Sequence, residues 1–292
     1  MKKLTIAQIL ASFGENPIDE NLHVYLQKKS ISYLPIDYPF RLDHFTILII
    51  DSGECEIKLD LIDYTLKEND LLVLLPHTVG QFIYLSDNLL INVVSFSIKM
   101  PITLGIDHKY LDSFRFLSSQ YAGKISIPQY ESLNVKSLMQ LLEQKNKLAD
   151  NYPFREEIVL NCFRLFLFEI SAIFKINTLS INHYNRQETL SHEFIKLLLE
   201  YMPENKKLSF YANLLSVTPN YLTKLTKLST GKTAGVLIDE MIILQSKLLL
   251  HETGLSIAKV SELLFFTDQF IFSRFFRKNT GLSPTEYRRQ RM

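Results

Sequence analysis

Cysteine is scarce in this chain. Cys55 and Cys162 are too few and too far apart for a disulfide framework or a zinc site, and they read as small buried apolar residues in a reducing compartment. A surplus of either charge sign is also missing: 32 Lys+Arg stand against 31 Asp+Glu, so overall charge does not announce a nucleic-acid partner. No uninterrupted apolar run is long enough for a membrane. The longest candidate, residues 158–174, contains Arg164 and Glu169, each costing about 2.5–3.5 kcal/mol near a bilayer centre. The opening MKKLTIAQILASFGENP has two lysines but no apolar stretch of signal-peptide length. A cytoplasmic protein without a membrane partner is therefore expected. The seven histidines, at 23, 44, 77, 108, 183, 192 and 251, form neither His-x-His nor His-Glu-x-x-His, and no Gly-x-Ser-x-Gly occurs. These absences count against an enzyme, and neither a metal nor a cofactor is expected.

What is present suffices for two domains: 292 residues, 47% of them hydrophobic. Charge is unevenly spread. Residues 188–292 carry 14 Lys+Arg and 10 Asp+Glu, whereas residues 1–187 carry 18 and 21, so the basic part is C-terminal. From His44 to Ile98, the runs FTILII, CEIKLDL, LLVLLP and LLINVVSFSI alternate with turn chemistry at residues 51–54 and 67–70. This predicts a small antiparallel sandwich or barrel. Beyond Pro128 the pattern becomes helical. One amphipathic helix is expected through Leu133–Leu148 and a more apolar one over Phe154–Phe174, with Pro153 as the break. The second must be covered by the sheet, by its neighbour or by another subunit. Residues 177–187 are polar and aperiodic and read as a linker.

The C-terminal part contains a degenerate repeat at an offset of fifty. In LTKLTKLSTG (222–231) and FSRFFRKNTG (272–281), apolar falls on apolar and basic on basic, and each segment ends in Thr-Gly. Two similar helices closed by a C-terminal glycine follow. Upstream of each lies a short amphipathic segment, FYANLLSV (210–217) or IAKVSELLFF (257–266), then a capping pair, Thr218-Pro219 or Thr267-Asp268. Each half is therefore a helix-turn-helix. Between them, Thr233–Leu250 reads as an apolar helix about 27 Å long, against the roughly 34 Å between successive major grooves on one DNA face. Leu222, Leu225, Phe272 and Phe275 fall on the core side.

Double-stranded DNA is the partner such a pair of units fits. Side chains placed to read bases are Asn220, Tyr221, Thr223 and Lys224 in the first unit and Gln269, Phe270, Ser273 and Arg274 in the second. Arg suits the guanine edge, Asn or Gln the adenine edge, and Phe or a Thr methyl the thymine methyl. Thr218, Lys227, Lys232, Thr267 and Lys278 suit phosphates, which fix register without reading sequence. Thr230-Gly231-Lys232-Thr233 imitates the end of a phosphate-binding loop. Thr226 stands where that loop needs glycine and a helix precedes it, so a helix C-cap is the better reading.

These residues, above all LSIAKVSELLFFTDQFIFSRFFRKNTGLSPTEYR (255–288), resemble the AraC/XylS family of bacterial transcription regulators. The resemblance places the family's DNA-reading positions on Asn220, Thr223 and Lys224 and on Gln269, Ser273 and Arg274. Ser283-Pro284 with Glu286 forms a capping box for the last helix. Three positions depart from the family: Thr226 stands for an aromatic, Phe265 for the turn glycine and Met241 for an arginine. At Phe265 a different backbone is expected. The N-terminal half is similar to cupin-type sensor domains. The implied fold is α+β: a cupin-like antiparallel β-barrel with two following helices, then an all-α domain of two helix-turn-helix units joined by a long helix. The implied domains are 1–176, a linker at 177–187, and 188–292. The implied partners besides DNA are a small-molecule effector, a second copy of the chain and RNA polymerase.

Three functions compete: a DNA-binding regulator biased by an effector, a regulator whose N-terminal domain serves only dimerisation or protein contact, and a cupin-like enzyme with an appended helical domain. An open polar-rimmed cavity in the barrel would favour the first and a closed apolar core the second. His77 and Gln81, after the strand ending at Pro76, are the candidate effector contacts.

Overall fold

The computed structural model describes residues 4–12, 21–27, 36, 38–76, 78–100, 123–180, 186–251 and 254–290. By internal contacts the chain forms two compact units, one chiefly from residues 3–182 and the other chiefly from 183–292. His77 lies outside the described residues.

The N-terminal unit begins with α1 (Ile6–Ser12) and continues through β1 (Leu22–Leu26), β2 (Phe40–Arg41), β3 (Phe45–Ser52), β4 (Glu54–Leu59), β5 (Ile62–Lys67), β6 (Asp70–Leu74), β7 (Val79–Leu85), β8 (Leu90–Phe96) and β9 (Lys124–Ser126). Two sheets result, ordered β1-β8-β3-β6-β9 and β2-β7-β4-β5. The pairs β1–β8, β3–β8, β3–β6, β6–β9, β2–β7 and β4–β7 are antiparallel. Two helices follow, α2 (Gln129–Asn146) and α3 (Arg155–Ser180). This is the antiparallel architecture with two following helices that the sequence implied.

The near-continuous apolar runs of β3 and β6 have a direct cause, since the first sheet is buried on both faces. Ile47, Ile49, Leu71 and Val73 pack toward α2 and α3 with Phe96, Met139, Phe163 and Phe166. Their neighbours Leu48, Ile50, Leu72 and Leu74 turn the other way and pack with Phe40, Cys55, Ile57, Leu59 and Leu66 of the second sheet. The predicted turns carry the expected chemistry. Gly53 sits at φ +77°, where an added Cβ would lie 2.5 Å from Ser86 Oγ and 2.8 Å from Leu89 Cα, and Asn69 takes φ +66°. Asp70, buried at 3% exposure, fastens β9: its carboxylate accepts from Ser126 Oγ (2.5 Å) and Lys67 N (2.7 Å) and pairs with Lys124 Nζ (2.8 Å).

Helix α3 is longer than its apolar run. It extends to Ser180, into the segment read as linker, and the next helix begins at Arg186. Val159, Phe163, Phe166, Leu167, Ile170, Ile173 and Phe174 form its buried face, while Leu165, Phe168 and Ile176 remain exposed.

The C-terminal unit is all helical: α4 (Arg186–Tyr201), α5 (Leu208–Leu214), α6 (Pro219–Thr230), α7 (Ala234–His251), α8 (Ile257–Leu263), α9 (Gln269–Thr280) and α10 (Pro284–Gln290). Helix α7 is the long connecting helix, and Leu237, Met241, Ile242 and Leu249 are among its buried residues. No helix among the described residues is long and apolar enough to cross a membrane.

Candidate nucleic-acid interface

The two helix-turn-helix units are copies at the level of single hydrogen bonds. In the first turn, Leu215 N, Ser216 N and Val217 N donate to Tyr211 O, Asn213 O and Ala212 O. Forty-nine residues later, Leu264 N, Phe265 N and Phe266 N donate to Val260 O, Glu262 O and Ser261 O. Ser216 and Phe265 occupy the same left-handed conformation, at φ +54° and +53°. The expected backbone departure at Phe265 does not occur. The bulky residue adopts the glycine-like geometry, since the turn must reverse the chain over the same hydrogen bonds.

The second helices of the two units start and stop alike. Thr218 caps α6, its Oγ1 accepting from Tyr221 N (3.2 Å), with Pro219 in the first turn. Asp268 caps α9, with Oδ1 accepting from Phe270 N (2.7 Å) and Ile271 N (2.8 Å). Of the pair Thr267-Asp268, then, the cap is Asp268. The extra residue Thr267 shifts the repeat from an offset of 49 in the turn to fifty in the helix. Both helices end in left-handed glycines, Gly231 (φ +73°) and Gly281 (φ +79°), whose amides donate to Lys227 O and Arg277 O. Gly231 is thus a helix cap, not part of a phosphate loop. Ser283 and Glu286 exchange the capping-box bonds of α10, at 2.7 and 3.2 Å.

Inward faces hold these helices in place. Leu222, Leu225 and Thr226 of α6 are buried, as are Phe272 and Phe276 of α9. Phe275 is half-buried against that core. Thr226 takes the place of Phe276 and satisfies its buried hydroxyl by donating to Thr223 O (3.1 Å). The second unit has the larger aromatic core, with Phe266–Phe272 and Phe276–Tyr287 ring centroids 5.4 and 5.6 Å apart.

Outward, Asn220, Tyr221 and Lys224 of α6 are exposed, as are Gln269, Phe270 (70%) and Arg274 of α9; Thr223 and Ser273 are half-buried beside them. Positions 220, 223, 224 and 227 follow helical spacing, as do 270, 273, 274 and 277, so each set lies on one face. Thr218, Lys227, Thr267 and Lys278 are exposed around these faces. Asn213, Ser216, Val217, Thr218 and Tyr221 line an open groove at the first turn.

Lys232, half-buried at the position equivalent to Leu282, has its Nζ 2.9 Å from Glu240 Oε2 on α7. Arg277, which the sequence reading did not single out, is exposed one turn beyond Arg274, in the place of Lys227. The fifty-residue offset contained that signal. On α7, burial raises the Asp239 carboxyl, and nearby Lys278 opposes that shift.

On β7, Gln81 pairs in register with Lys58, whereas its neighbours Gly80 and Phe82 pair with the core residues Leu59 and Ile57. Strand alternation therefore turns Gln81 away from the space between the sheets. Among the described residues, no three His, Cys, Asp or Glu side chains gather where a metal ion could be held.

Residues 211–290 match the family model described as a helix-turn-helix domain. The chain is 36% identical over 84 residues to the arabinose operon regulatory protein of Escherichia coli, covering 29% of either protein. It is 39% identical over 72 residues to the Salmonella typhimurium protein of the same name, covering 25% of this chain and 26% of that one. The chain thus spans under a third of the length of the curated relatives it matches. Among solved structures, ToxT of Vibrio cholerae, bound to an unsaturated fatty acid, is 16% identical and covers 91% of this chain and 94% of its own at a TM-score of 0.42. The C-terminal domain of AraT, a response regulator from Geobacillus stearothermophilus, is 27% identical and covers 37% of this chain and 90% of its own at a TM-score of 0.34.

Proposed function

We propose that this chain, whose residues 211–290 match a helix-turn-helix domain model, is a sequence-specific transcription regulator of the AraC/XylS type that reads double-stranded DNA with α6 and α9. The observation that carries the reading is the duplicated turn. Two reading helices with the same entry geometry, caps and polar outward face are joined by an 18-residue helix of about 27 Å. Asn220, Tyr221, Thr223 and Lys224, with Gln269, Phe270, Ser273 and Arg274, are the base-facing set. Thr218, Lys227, Thr267, Lys278 and the added Arg277 are the phosphate-facing set. The N-terminal domain is read as running through α3 and the DNA-binding domain as starting with α4, so the linker read at 177–187 narrows to the stretch between Ser180 and Arg186.

For the N-terminal domain, the packed core between the sheets favours dimerisation or protein contact over an internal polar effector. Apolar side chains such as Ile50, Leu72, Ile57 and Leu66 occupy that space, and Gln81 faces away from it. The exposed Leu165, Phe168 and Ile176 of α3 supply an apolar face for a second copy. Contact with RNA polymerase follows from the regulator reading alone.

The experiment is selection of bound duplexes from a random pool by the full chain at near-physiological salt. A bipartite motif with halves about one helical turn apart supports tandem reading. Arg274→Ala should cost about 1–3 kcal/mol on the preferred site and relax one base position, whereas Lys278→Ala should weaken all sequences alike. Equal loss on every sequence for both variants would refute the base-reading assignment.

A further inference from the structure

The turn before α9 places a bulky residue in a left-handed conformation. Phe265 has φ +53° and a side chain 59% exposed, so its own packing does little to hold it there. A contact from the first unit does hold it. Lys206, in the loop between α4 and α5, reaches across to the second turn, where its Nζ donates to Phe265 O (2.9 Å) and lies 3.6 Å from the ring centroid of Phe266. Phe266 is in turn part of the α9 core, with ring centroids 5.4 Å from Phe272 and 5.5 Å from Phe275.

The loop carrying Lys206 is itself fixed. Gln245 of α7 donates to Met202 O (3.3 Å), Asn205 N donates to Tyr201 O (3.1 Å), and the buried Tyr211 hydroxyl donates to Asn205 O. Tyr211 is wedged edge-on between Phe194 and Phe210. An anchored ammonium thus bridges the two helix-turn-helix units at Phe265, a bulky turn residue in a left-handed conformation.

We infer that Lys206 is a positioning residue for DNA reading by the second unit: it holds the Phe265–Phe266 turn in the glycine-like geometry and fixes α9 against the first unit. The ammonium is held there despite desolvation, which pulls its pKa down to about 8. The carbonyl and the ring face replace part of the lost hydration. The clamp substitutes for the conformational freedom that glycine would supply at position 265. Its consequence for DNA rests on the function proposed above; its consequence for the turn does not.

The test uses the full chain as parent, Lys206→Met, Lys206→Arg and Lys206→Met with Phe265→Gly. Two readouts are taken: amide exchange without DNA, and duplex selection from a random pool. Lys206→Met keeps the aliphatic stem but removes the charge and the donor. It should speed exchange at the Phe265 and Phe266 amides about five- to thirtyfold and leave the equivalent Ser216 and Val217 amides unchanged. In selection, the half of the motif read by α9 should lose information while the other half is kept. Lys206→Arg should restore both readouts, and Phe265→Gly in the Met background should restore slow exchange. Unchanged exchange in Lys206→Met would overturn the inference, as would equal loosening of both turns without rescue by glycine. If the parent selects no motif, the DNA reading fails, and amide exchange still decides the clamp.

Discussion

Removing the Asp268 carboxylate should loosen the start of α9 more than removing the Thr218 hydroxyl loosens α6. Asp268 Oδ1 accepts from two backbone amides, at 2.7 and 2.8 Å, and places a negative charge at a helix N-terminus. Thr218 Oγ1 accepts from one amide, at 3.2 Å, without a charge. A cap is worth typically about 1 kcal/mol, and the charge on the helix dipole adds about 0.3–1 kcal/mol. Asp268→Ala should therefore cost about 2 kcal/mol and Thr218→Ala about 1 kcal/mol. At about 5 °C per kcal/mol for a domain of this size, the transition of the C-terminal domain should fall by about 10 °C and 5 °C. Asp268→Asn keeps an acceptor and should cost only the charge part, about 1 kcal/mol, a deficit that vanishes in about 1 M salt. Thermal unfolding of the full chain at low and high salt reads these shifts, and exchange at the Phe270 and Ile271 amides assigns them to the first turn of α9. The reasoning is refuted if Asp268→Asn costs as much as Asp268→Ala, or if Thr218→Ala costs more than Asp268→Ala.

The left-handed glycines offer a cleaner case. No atom lies within 4 Å of a Cβ built on Gly231 or Gly281, so alanine there should cost only backbone strain, about 1 kcal/mol, in denaturant titration; a much larger loss would mean an unseen clash. His44 is 2% exposed, and burial holds its pKa below 6.5 against the opposing hydrogen bond that Asp43 Oδ1 accepts from its ring. As pH falls below about 6.5, the unfolded chain takes up a proton that the native state refuses. The native state should therefore lose stability until its own lowered pKa is reached. His44→Gln should flatten that slope between pH 7 and 5.5, and an unchanged slope would exclude His44 as its source. Burial in the intersheet core pushes the Cys55 thiol up to about 12, whereas Cys162 is partly exposed. An aromatic disulfide reagent at pH 8 should modify Cys162 in the native protein and Cys55 only on unfolding; rapid modification of both would contradict the packed core.

The elements legible in sequence were those with strong local signals. FTILII and LLVLLP stood out because β3 and β6 are buried on both faces, and the two Thr-Gly endings announced the ends of α6 and α9. The strands β1, β5 and β7 were not picked out. In VGQFIYL, exposed Ile83 and Tyr84 break the alternation at a register shift in the β4–β7 pairing, and the five residues of LHVYL become a strand only by pairing with β8.

By itself, then, the sequence determined what local chemistry can determine: the helix caps, the left-handed glycines, the apolar periodicities and the fifty-residue repeat. The tertiary structure decided matters that depend on residues distant in the chain. That Lys232 pairs with Glu240 of α7, at 2.9 Å, is set by how α7 follows the turn after α6. Phe265 looked like a backbone departure until Lys206 was brought to its carbonyl from fifty-nine residues away. An ion pair or a hydrogen bond acts only over a few ångströms, and the distance between side chains far apart in sequence is set by the folding of all the chain between them.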